Sequence, residues 1–308
     1  MSFSKQFKQA LRQKLSHLRR DRPAMLGFLF HALFDDAQEI ARGHVDAQQG
    51  ITAAHMRQFM EHFLRAGYRF ISPEQTADFL DSSEKCVCVT FDDGYFNNLR
   101  MLPLLEQYDV PATFYITTGN VEMQQCFWWD VVYRERHRRG TEKPQISREQ
   151  KMLKHKSHQD IIAYLQQAFG EDCLQPWSDT DRPMSIEELQ DFARHPLVHI
   201  GNHTRDHYLL DRYGQVDIEQ QINRAQQDLE SWLGKAPKSI AYPNGNYSDA
   251  TLAAAANAGL TYGLSLDKHK TRLPMKNDAS RLTLGRFTLW GRDDIDAQCE
   301  ITRSDIPL

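Results

Sequence analysis

The chain has 308 residues, 41% of them hydrophobic and 25% charged, with a formal net charge of −4. That length suits one large α/β domain or two average ones, and the mild acidity gives nucleic acid no electrostatic footing as a partner. Five cysteines without a framework spacing exclude a disulfide scaffold, and no run approaches the ~18 apolar residues of a membrane-spanning helix.

In the first 22 residues Phe3, Phe7, Leu11, Leu15 and Leu18 recur at helical spacing among Lys5, Lys8, Arg12, Lys14, Arg19, Arg20 and Arg22. The reading is a basic amphipathic N-terminal helix over 1–22 that packs on its own domain or rests on an anionic membrane surface. No small-residue cleavage site follows the apolar run at 25–30. The expected location is therefore cytoplasmic, with the helix either packed on its own domain or resting on the inner membrane.

Met25–Phe30 reads as a strand ending at His31. Met56, Phe59, Met60, Phe63 and Leu64 make one helical face closed by Gly67, and Ser72-Pro73-Glu74-Gln75 carries the cap residues of another helix. A strand at 86–91, a helix over 96–108 and a strand at 112–116 follow. Cys86 and Cys88 point to one face of their strand as small apolar residues. Ser185 and Glu188 cap a helix before the strand 197–200. Helix 216–234, strand 239–242, helix 248–258 and strands 262–266 and 283–289 complete the series. Repeated βα units imply a parallel sheet, open or closed into a barrel, with its ligand site at the C-terminal strand ends. The polar, helical stretch 121–184 breaks this rhythm. Its apolar content reads as too thin for an independent core, so 23–308 is taken as one domain carrying an insertion.

Three strand ends bear residues suited to chemistry. Asp92-Asp93-Gly94 ends the strand 86–91. At the transition to a loop both carboxylates can turn into one pocket, one as a cation ligand and the other free to take a proton; the same triplet is also ordinary turn chemistry. His203 and His207, four apart, follow the strand at 197–200. With 13 histidines, chance alone gives about 0.5 such pairs, so position argues more than spacing. Two imidazoles and a carboxylate make a three-ligand open site suited to Zn²⁺, without distinguishing it from Co²⁺, Ni²⁺ or Fe²⁺. Ala241-Tyr242-Pro243-Asn244-Gly245-Asn246 marks the third strand end.

Taken together these residues resemble the polysaccharide deacetylases of the nodulation-protein-B homology group, carbohydrate esterase family four. Thr90-Phe91-Asp92-Asp93-Gly94-Tyr95 and His203-Thr204-Arg205-Asp206-His207 match the family's first two motifs, with Pro111-Ala112-Thr113-Phe114-Tyr115 between them. The resemblance, over about 25–290, implies a distorted (β/α) barrel and metal-dependent removal of acetyl groups from N-acetylated sugars. The expected substrate is a surface glycan or its lipid-linked precursor. By the same carry-over Asp93, His203 and His207 would bind the metal, Asp92 would be the base, the Tyr95 N–H would hold the oxyanion, and Thr204 would steady the histidine loop.

Two departures stand out. The arginine that usually orients the base has Ala241 in its place, with Arg286 as a candidate substitute. The C-terminal general-acid motif is missing, and Phe30-His31 resembles the strand end that supplies the acid in a branch active on biofilm exopolysaccharides. Tyr242, Arg286 and Trp129, the last in the pair Trp128-Trp129, are the expected substrate contacts. Two other classes fit parts of the pattern. A non-haem Fe(II) enzyme uses two histidines and a carboxylate, on a β-rich scaffold, and a degenerate barrel would bind glycans without cleaving them.

Overall fold

The computed structural model describes residues 21–79, 84–272 and 279–305. The expected N-terminal helix falls almost wholly outside them. Eight strands run in chain order: β1 Met25–Phe30, β2 Arg69–Phe70, β3 Cys86–Phe91, β4 Ala112–Ile116, β5 Val198–Asn202, β6 Ser239–Ala241, β7 Tyr262–Leu264 and β8 Arg286–Thr288. Seven of them lie side by side in the order β7-β6-β5-β4-β3-β1-β8, all parallel, while short β2 pairs with the start of β3. Leu284, just before β8, donates its N–H to Gly263 O and accepts from Ser265 N–H at 2.8 and 2.9 Å, so the sheet curls into a nearly closed barrel.

Alternation along the strands sorts the side chains. Leu26, Phe28 and Phe30, Val87, Val89 and Phe91, and Phe114 and Ile116 face outward into a core shared with Met56, Phe59, Met60 and Phe63 of the helix Ala53–Arg65. Cys86, Cys88, Tyr115, Ala241 and Leu264 form a second apolar cluster inside the barrel. All five cysteines are buried thiols. Gly27 has the closest backbone approach of β1: a Cβ there would lie 2.6 Å from Gly285 O, so only glycine lets β8 dock beside β1.

Several boundaries differ from the sequence reading. Residues 96–108 divide into a 3₁₀ turn, Phe96–Met101, and a helix, Leu102–Tyr108. The strand placed at 197–200 runs on to Asn202, whose polar side chain is bonded within the fold, and the strand placed at 283–289 shrinks to three residues because Ala279–Thr283 is a 3₁₀ turn. The helix Ile295–Arg303 was not anticipated; it buries Ile295 and Cys299 in the main core. The insertion holds more apolar substance than its composition suggests. Its helices Trp128–His137, Lys143–Leu153 and His158–Phe169 share a buried cluster that includes Phe127, Val131, Val132, Ile146 and Leu165, joined to Phe34 and Tyr95 of the barrel loops. Among the described residues no helix is long and apolar enough to cross a membrane.

Candidate active site

Parallel register gathers the strand ends on one rim. Phe30 pairs with Phe91 and Asp92 N–H donates to Phe30 O at 2.9 Å, so His31 and Asp92 leave the sheet together. Ile116 pairs with Asn202, and His203 N–H donates to Ile116 O at 3.1 Å, which sets His203 beside the end of β6. The rim opens into a cavity of about 410 Å³ lined by His31, Asp92, Asp93, Trp129, His203 and His207, with one wall supplied by the insertion.

The backbone is bent where the candidate ligands sit. Asp93 has φ 80°, Thr204 64° and His207 54°, and Gly94 follows Asp93 at 91°. Non-glycine residues in this region store strain that persists where the surroundings impose it, often at functional sites. The bend turns Asp93 toward His203 and His207, whose Nε2 atoms lie 3.4 and 3.5 Å from Asp93 Oδ1. Zinc–ligand bonds of 2.0–2.2 Å in tetrahedral geometry separate ligand atoms by about 3.4 Å. One ligand atom from each of the three residues lies within 4.8 Å of the others, a group that could hold a metal ion.

Asp93 supplies the sharper test of fit. It is 1% exposed, and among the described residues neither carboxylate oxygen has a hydrogen-bond partner. A buried carboxylate left so is costly unless a cation faces it. Burial pushes its pKa up, but the imidazoles around it, His203 first and then His31 and His207, outweigh that and hold it below its ordinary value. Burial pushes the His207 imidazole down to about 3, with Asp93 opposing, so it stays neutral with a lone pair to give. His203 Nδ1 donates to Ala241 O at 2.7 Å, which turns Nε2 toward Asp93. The donor set fits a divalent cation. The Thr204 hydroxyl has no partner; its backbone N–H donates to Asn202 Oδ1 at 2.8 Å, and the Asn202 amide is held in turn by Ile222 O and Gln226 Oε1.

Asp92 belongs to a different set of contacts. Arg286 grips it with both guanidinium arms, Nη1 to Oδ1 at 2.7 Å and Nη2 to Oδ2 at 2.9 Å. The arginine, 1% exposed, also donates to Ser265 O and Thr90 Oγ1. Arg286 therefore stands behind Asp92, and its expected role in touching substrate is corrected, because a fully engaged, buried fork has no face on the cavity. Tyr242 is corrected for the same reason. It is buried, donates its hydroxyl to Leu282 O at 3.0 Å, and is absent from the cavity lining.

Trp129 does line the cavity, but it is only 8% exposed. Its ring lies 4.6 Å from that of His207, and its Nε1–H donates to the Tyr95 hydroxyl, which donates on to Asp130 Oδ2 at 2.6 Å. That chain fixes Tyr95. The returning end of the insertion does so too, with Phe96 N–H donating to Arg182 O and Met184 N–H to Gly94 O, a pattern that leaves the Tyr95 N–H outside the ladder. His31 lines the cavity with Nδ1 2.8 Å from Gln49 Oε1. The Gln49 amide N–H groups are committed to Leu29 O and Leu289 O, so its oxygen must accept, and His31 carries its hydrogen on Nδ1. Gln49 was missed by the sequence reading, since a loop glutamine carries no spacing signal.

The Asp92–Arg286 contact is testable by a double-mutant cycle in urea. Arg286→Ala is expected to cost about 3–5 kcal/mol, as removal of one partner from a buried ion pair does, and Asp92→Asn should cost far less on that background than in the wild type. Additive losses would contradict the pairing.

The polysaccharide deacetylase family model matches residues 80–263, more than half of the chain. The poly-beta-1,6-N-acetyl-D-glucosamine N-deacetylase of Staphylococcus aureus (strain MRSA252) is 30% identical over 206 residues, 63% of this chain and 52% of that protein. The chain spans about half the length of the curated relatives it matches. The fold is shared with the Streptococcus pyogenes deacetylase PplD, solved in complex with acetate, at a TM-score of 0.60 and 18% identity over 93% of this chain and 99% of that one. It is shared equally with IcaB from Ammonifex degensii, at a TM-score of 0.60 and 18% identity over 92% and 98%. With the matched segment running from before β3 into β7 and enclosing both motifs, the chain belongs to the polysaccharide deacetylase family.

Proposed function

We propose that the protein is a metal-dependent hydrolase that removes acetyl groups from N-acetylated sugars of a surface polysaccharide or its lipid-linked precursor. The observation that carries this reading is Asp93, buried with two unpartnered oxygens and faced by His203 and His207, beside a second carboxylate held separately by Arg286. Asp93, His203 and His207 would hold the cation, with Zn²⁺ the first candidate. Bound there, it supplies Lewis acidity, lowering the pKa of water to about 7 and polarising the amide carbonyl.

The rest falls to the chain. Asp92 accepts a proton from the attacking water, its two oxygens oriented by Arg286. The Tyr95 N–H steadies the charge that develops on the carbonyl oxygen. His31, its Nδ1 hydrogen held by Gln49, delivers a proton from Nε2 to the amine nitrogen as the C–N bond breaks. Acetate leaves, and the sugar keeps a free amine. Trp129 and Trp128 wall the cavity and limit water around the reacting amide.

The test is acetate release from a panel of N-acetylhexosamine oligomers. Release should fall to background after chelation and return with added Zn²⁺; release that persists in metal-stripped protein would contradict the reading. In His31→Ala the decline of rate at high pH should disappear, because a general acid acts only while protonated. A pH–rate profile with that limb intact would remove His31 from the role.

A further inference from the structure

The cavity has a basic side that the proposed chemistry does not use. Lys154 and Lys156 follow the helix Lys143–Leu153, and Arg212, which ends the 3₁₀ turn Leu210–Arg212, lies against that segment; all three line the cavity. Among the described residues none of the three lies within ion-pair distance of a carboxylate, although most arginines of the chain do. Lys154 donates instead to a neutral acceptor, Asn244 Oδ1, at 2.8 Å, across from insertion to barrel. Arg212 uses Nη1 on Lys154 O and His155 Nδ1, and among the described residues its Nε and Nη2 have no hydrogen-bond partner.

We infer that this wall is a subsite for a phosphoryl group carried by the sugar substrate. The inference rests on the deacetylase reading of the same cavity. A lysine after a helix C-terminus often serves the helix dipole, but the Lys154 ammonium reaches away to the barrel loop. Burial pushes the Lys154 pKa down, a cost that an anion on the substrate would offset. Three cations lining one cavity exceed the single charge of a carboxylate, whereas a phosphate monoester carries about −1.5 to −2 near neutral pH. The rings of Tyr208 and Tyr213, stacked at 4.3 Å, line the cavity beside these cations and offer a face to a sugar.

The experiment compares KM for acetate release from neutral N-acetylglucosamine oligomers with that from N-acetylglucosamine 1-phosphate, its nucleotide-diphosphate form and its polyprenyl-diphosphate form. At low salt the wild-type holoenzyme should favour at least one phosphorylated form by about ten-fold or more, the worth of one charge-assisted contact, and the ranking of the three identifies the carrier. The preference should shrink in Lys154→Gln, Arg212→Gln and the solvent-exposed Lys156→Gln, and as salt is raised. Equal KM values, or a preference that survives all three substitutions, would overturn the inference, as would an equal gain for a glucuronate-bearing oligomer. If no substrate releases acetate the deacetylase reading fails by itself. Calorimetry with inorganic pyrophosphate then decides the wall alone, since binding that is absent in the wild type or unweakened in Lys154→Gln overturns it.

Discussion

A guanidinium and a carboxylate buried together inside a barrel set the terms for the rest of the site. Arg286 and Asp92 are each removed from water, and both arms of the fork meet both oxygens. Such a pair is tolerable only with good geometry and further bonds, which Ser265 O and Thr90 Oγ1 supply. The pair also joins the last strand to the third. β8 reaches Asp92 because it lies beside β1, where Gly27 leaves room for the Gly285 carbonyl. With Ala241 standing where the resemblance led one to expect an arginine, the charge comes from a different strand to the same rim.

That arrangement separates two adjacent carboxylates by function. Asp92 is turned back into the barrel and held. Asp93 is bent forward at positive φ into a cluster of imidazoles, with no hydrogen bond to its carboxylate among the described residues. The neighbouring contacts all favour this difference. Ala241 O aims His203, Trp129 covers His207, and the insertion clamps Tyr95 from both its ring and its backbone. The insertion is thus part of the site as well as a layer over it, and its basic residues give the cavity a second chemical character.

How much of this could be read from sequence depended on the kind of signal. β1, β3 and β4 were placed to the residue because each is an apolar run stopped by polar residues, and parallel register then carries their ends to one rim. Asp92, Asp93, His203 and His207 were visible because two motifs at strand ends constrain one another. Arg286 was legible as a candidate partner of the base, but the substrate contact also expected of it was not sound: both arms of its buried fork are taken by Asp92. Tyr242 was misread for the complementary reason, since a strand-end aromatic can turn either way and Leu282 O claims this hydroxyl. Gln49 and the Ala241 carbonyl left no trace in sequence, because each positions a histidine 18 or 38 residues away through an amide or a backbone group.

The division of labour between the two aspartates can be measured directly by assaying metal content and acetate release together in Asp92→Asn and Asp93→Asn. Asp92→Asn should keep its metal and lose turnover by about 10²–10⁴-fold, the worth of a general base, whereas Asp93→Asn should lose both. An Asp92→Asn protein that releases acetate at the wild-type rate, or an Asp93→Asn protein that keeps a full complement of metal, would contradict the assignment.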